Sequence, residues 1–81
     1  MNQRMTKDEL FLLTLYKIAH AKGDPTHQID RFLIGKAINQ NERMCNNIVR
    51  HLAQANFIKK GDENFIYLTE QGLRLVDQLR R

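Results

Sequence analysis

The chain has no tryptophan, one cysteine, one proline and four glycines among its 81 residues. A lone cysteine, Cys45, excludes an internal disulfide, and the expectation is a cytoplasmic protein. No unbroken apolar run exceeds four residues, as in Leu10-Phe11-Leu12-Leu13. A membrane-crossing helix needs roughly 20, so no span is expected. The opening MNQRMTKDEL lacks the apolar stretch of a secretory signal, and none is read there. There are no internal repeats, linkers or low-complexity tracts, so one domain is expected over residues 1–81. A domain this small buries only about 60% of its unfolded surface, and a partner copy would add stability. Gly23, Gly35, Gly61 and Gly72 are scattered, which excludes a Gly-rich phosphate loop. Cys45 and His51 fall on different faces of a helix, with no second CxxC or HxxxH, so no metal site is read. No Ser/His/Asp set or carboxylate pair is recognisable; neither catalysis nor a cofactor nor a small-molecule substrate is expected.

Charge is present and unevenly placed. The net charge is +4. Residues 36–60 hold Lys36, Arg43, Arg50, Lys59 and Lys60 against Glu42 alone, five against one, which accounts for the whole excess. The rest of the chain balances at eight basic and eight acidic side chains. A focused basic segment is the electrostatic footprint of a polyanion binder.

Local signals divide the chain into elements. Thr6-Lys7-Asp8-Glu9 is a capping box, opening a helix to about residue 22 with Gly23 as its stop. Phe11, Leu12, Leu15, Ile18 and Ala19 share one face of it. Leu10 and Leu13 fall off that face, and apolar residues on the wrong side of a helix mark a second contact. A second helix is expected from His27 to Ile38, with Ile29, Phe32, Leu33, Ala37 and Ile38 as apolar contacts. Gly35 inside it costs about 1 kcal/mol against alanine, which implies close approach of another backbone. Asn41 caps a third helix running to about Ala55. There Met44, Cys45, Ile48, Val49, Leu52 and Ala55 form one apolar arc, while Arg43, Asn46, Asn47, Arg50 and Gln54 occupy the opposite arc. Phe57–Lys59 and Asn64–Leu68 read as two strands around a Gly61 loop, and Thr69 caps a last helix from Glu70 to about Arg80.

The resulting order α-α-α-β-β-α resembles the winged helix-turn-helix superfamily of small prokaryotic DNA-binding transcriptional regulators, over about residues 7–80. Ile34-Gly35-Lys36-Ala37-Ile38-Asn39-Gln40-Asn41 looks like the first helix and turn of the motif. Cys45, Val49 and Leu52 match the inward positions of the family's recognition helix, and Asn56-Phe57-Ile58 stands where these domains commonly have Gly-Leu-Ile. Tyr67-Leu68-Thr69-Glu70-Gln71-Gly72 matches the frequent strand-to-helix signature and is the most specific piece. Two features depart from the pattern. Gln40 is polar where the turn is usually apolar, and Asp62 and Glu63 are acidic where the wing usually carries Lys or Arg. Phosphate repels an acidic tip, so the wing is not expected to enter a groove.

The resemblance implies a mainly α fold with a small β-hairpin wing, which binds double-stranded DNA with its third helix, about residues 41–55, in the major groove. Arg grips guanine and Asn pairs with adenine, which makes Arg43, Asn46, Asn47 and Arg50 the expected base readers. Lys36, Gln54, Lys59 and Lys60 are the expected backbone contacts. Family members pair through terminal helices, which implies a homodimer seam at Leu10, Leu13 and Tyr16 together with the last helix. The alternative is a winged helix that docks on a protein and never reads DNA.

Overall fold

Among the described residues, a side-chain cap opens every helix. The computed structural model describes residues 5–81, in the order α1 (Lys7–Ala21), β1 (Ile29–Asp30), α2 (Arg31–Ala37), α3 (Glu42–Gln54), β2 (Ile58–Lys60), β3 (Phe65–Leu68) and α4 (Glu70–Leu79). Thr6 and Glu9 form the reciprocal capping box at α1. Asp30 accepts from the Phe32 N–H at 2.8 Å, Asn41 from Met44 at 2.9 Å, and Thr69 from Gly72 at 3.0 Å. Each bond satisfies an N–H that the first helical turn would otherwise leave unpaired.

The three strands form an antiparallel sheet in the order β1-β3-β2. Ile29 lies opposite Ile66 and Asp30 opposite Phe65; Ile58, Lys59 and Lys60 face Leu68, Tyr67 and Ile66. Alternation sorts the side chains of β3. Ile66 and Leu68 are buried, while Phe65 and Tyr67 lie on the other face. The four helices and this sheet enclose one core. Its fully buried members include Phe11, Leu12, Leu15, Ile34, Ile48, Val49, Ile58, Ile66 and Val76.

The start of the second helix differs from the expectation. Ile29 is a strand residue, not a helical one, and α2 begins at Arg31. The i, i+3 spacing of Ile29 and Phe32 fits a helix, but Asp30 caps the chain there and the Ile29 backbone pairs with β3 instead. α2 is therefore seven residues long. Its buried side is Arg31, Ile34 and Gly35, one helical face, which leaves Leu33 and Ala37 exposed rather than in the core.

The outer side of α1 also differs from the expectation. Leu13 belongs to the core, at 8% exposure. Tyr16, one turn further along that face, is half-buried: the Arg80 guanidinium donates to its hydroxyl at 3.0 Å and lies 4.9 Å from its ring centroid. α1 packs against α2, α3, β1, β3 and also α4. Leu13 is thus covered within the chain, and the last helix is among the elements packed on α1. Of the three expected seam residues, Leu10 alone is open, at 39% exposure.

Candidate nucleic-acid interface

The turn between α2 and α3 sets the position of α3. Asn39 takes a left-handed conformation, φ 63°. An L-residue rarely adopts it, and Asn tolerates it best after Gly. The Gln40 N–H then returns to the Gly35 carbonyl at 2.8 Å. At Gly35 an added Cβ would collide with the Cys45 sulfur and stand 3.2 Å from the Gln40 carbonyl. The close approach inferred from this glycine is therefore chiefly to a side chain of α3. Burial raises the Cys45 thiol above its ordinary value, with the Arg31 cation opposing the shift. Its Sγ lies 3.8 Å from the Arg31 carbonyl. This is an inward packing residue, not an exposed thiolate.

The end of α3 is held by the start of α4. Asn56 is left-handed, φ 65°, which stops the helix. The Thr69 hydroxyl donates to the Asn56 carbonyl at 2.6 Å, and the Gln71 amide donates to the Ala55 carbonyl at 3.2 Å. The Thr69 N–H reaches the Phe57 carbonyl at 3.1 Å. Gly72 makes this docking possible, because a Cβ there would collide with the same carbonyl oxygen. In the last turn of α3, the exposed His51 lies 3.5 Å from Asp8 of α1.

With both ends fixed and Cys45, Ile48, Val49 and Leu52 buried, α3 presents a polar arc outward. Arg43, Asn46, Arg50 and Gln54 are exposed and Asn47 is half-buried. Spacings of three and four residues place them side by side. Arg50 donates to the Asn47 Oδ1 at 3.3 Å. Glu42, in the first turn, is the one acid on the helix. Lys36 is exposed in the last turn of α2. Lys59 and Lys60 are exposed on β2, which packs against α3. Asp62 and Glu63 are exposed at the hairpin tip, where Glu63 has φ 50°.

Arg31 is the residue that sequence reasoning missed. It is 9% exposed, yet it joins three elements. Its backbone N–H and Nε donate to the Asn64 carbonyl in the hairpin, at 3.0 and 3.2 Å. Its Nη1 donates to the Asn46 Oδ1 on α3, at 3.2 Å. The hairpin loop and the polar arc are thus fixed to each other through one guanidinium. A faint signal was available: an arginine set among Ile29, Phe32 and Ile34, where a cation needs a reason to be.

Among the described residues no helix is long and apolar enough to cross a membrane, and no His/Cys/Asp/Glu group has the arrangement of a metal site. Set against known proteins, the chain matches no family model, no curated protein and no solved structure.

Proposed function

We propose that this protein is a winged helix-turn-helix transcriptional regulator in the cytoplasm that binds double-stranded DNA as a homodimer. In this reading α3 enters the major groove. Arg43, Asn46, Asn47 and Arg50 meet base edges, and Lys36, Gln54, Lys59 and Lys60 meet phosphates. The observation that carries the reading is the outward arc of α3: two arginines and two asparagines without an acid beyond Glu42, on a helix fixed at both ends. Further support comes from the element order, with a two-stranded hairpin following the α2-turn-α3 unit, and from the charge of residues 36–60.

The test is fluorescence anisotropy with random-sequence duplex DNA across a salt series. Expected is micromolar binding that weakens steeply with salt, with a log–log slope of about 0.9 per phosphate contacted. The double substitution Arg43→Ala/Arg50→Ala should reduce binding at least tenfold, on the scale of about 1–3 kcal/mol per bidentate base contact. Absence of binding by the folded protein at low salt would overturn the reading.

One feature favours a second reading. The exposed Asp62 and Glu63 at the hairpin tip repel phosphate and suit a basic protein surface. On that reading the protein is an interaction module, and the double arginine substitution leaves partner binding unchanged.

A further inference from the structure

Arg31 sits almost out of solvent and, among the described residues, has no carboxylate within ion-pair distance. Both of its side-chain bonds go to neutral oxygens, the Asn64 carbonyl and the Asn46 Oδ1. A guanidinium donates from every nitrogen and accepts at none. The Asn46 carboxamide must therefore turn its oxygen, not its nitrogen, toward Arg31. What remains is Nδ2, with two donor hydrogens on an exposed side chain and no protein partner among the described residues. Asn47 is arranged alike, with its Oδ1 accepting from Arg50.

This matters for base recognition. Asparagine reads adenine with both ends of its amide: the oxygen accepts from N6 and the nitrogen donates to N7. With Oδ1 turned toward Arg31 and one of its two lone pairs taken, the free Nδ2 donors are what Asn46 presents most readily. Guanine presents two acceptors, N7 and O6, in the major groove, whereas adenine would set its N6 donor against another donor. Swinging the amide round to pair with adenine would cost the Arg31 bond and leave a buried cation with one partner fewer. Arg43 and Arg50 are donor-only as well.

We propose that Arg31 is a positioning residue that holds Asn46 with its donors outward, so that Asn46 selects guanine over adenine at the base pair it meets. The proposal rests on the DNA reading above. It replaces the adenine pairing that the residue type alone suggests.

The experiment is selection from randomised duplexes with wild type, Asn46→Ala, Arg31→Met and Arg31→Lys, followed by anisotropy on duplexes changed at single positions. Asn46→Ala identifies the base pair, as the position where discrimination is lost. At that pair wild type should prefer guanine over adenine by about fivefold or more, the lower end for a specific base contact. Arg31→Met frees Oδ1 and should shift the preference to adenine, while Arg31→Lys, which keeps a donor, should retain guanine. The Arg31 backbone N–H bond to Asn64 does not depend on the side chain replaced, and thermal melting checks that both variants fold. An adenine preference in wild type overturns the proposal whether or not Arg31→Met folds. So does an unchanged preference in a folded Arg31→Met, which would make the role structural, or an Asn46→Ala that loses no discrimination. These failures leave salt-dependent DNA binding intact. If wild type binds no duplex at low salt, the DNA reading fails and this proposal with it.

Discussion

Gly35 and Gly72 both lack room for a methyl group, for different reasons. At Gly35 the obstacle is mainly the Cys45 sulfur; at Gly72 it is the Phe57 carbonyl. Both residues are helical, so alanine would gain about 1 kcal/mol of propensity. Overpacking costs about 1–3 kcal/mol and should win at both positions. Gly35→Ala is expected to lower the stability seen in urea unfolding, and Cys45→Ala added to it should restore part of the loss. Gly72→Ala should show no such rescue, because backbone cannot be trimmed. A strictly additive Gly35/Cys45 cycle would show that α2 and α3 move apart freely. The glycine in mid-helix was a legible sign of close approach, and Cys45 was legible as core from its place on the apolar arc. Arg31 was not legible, because its partner Asn64 lies 33 residues away and an arginine's default place is the surface.

Elements were legible where their determinants are local. Thr6, Asn41 and Thr69 each cap the helix that follows, as residue type and spacing require. Ile66 and Leu68 point inward from a strand marked by aromatic and β-branched residues. β1 escaped because two residues carry no periodicity, and its pairing with β3 is fixed by the fold. Thr69 carries the heaviest local duty. Its hydroxyl accepts from Gly72 and donates to Asn56, so it starts α4 and closes the end of α3 at once. Thr69→Ala should therefore cost about 2 kcal/mol, the upper end for a cap, while Thr69→Ser keeps most of the stability. In hydrogen exchange, the amides at the C-terminal end of α3 should lose protection along with those of α4. Loss confined to α4 would mean that the Asn56 bond contributes nothing.

At the scale of the whole molecule, α1 is surrounded more completely than its sequence implied. Its main apolar face could be read from helical spacing, but which element covers the remaining side depends on where α4 returns. Because Arg80 covers Tyr16, and Leu13 is inside, the proposed homodimer has Leu10 as the open large apolar residue on that helix. Two substitutions three residues apart should then behave oppositely. Leu13→Glu buries a carboxylate at a cost of several kcal/mol, a large part of the roughly 5–15 kcal/mol that holds a domain together. It should unfold the protein, as seen by circular dichroism, instead of yielding folded monomers. Leu10→Glu should leave the spectrum and the melting curve close to wild type, while shifting sedimentation equilibrium from dimer to monomer. A Leu10→Glu protein that stays dimeric would place the seam away from α1. A wild type that sediments as a monomer at all concentrations would remove the two-fold pairing, and each site on DNA would then be read by one copy of α3.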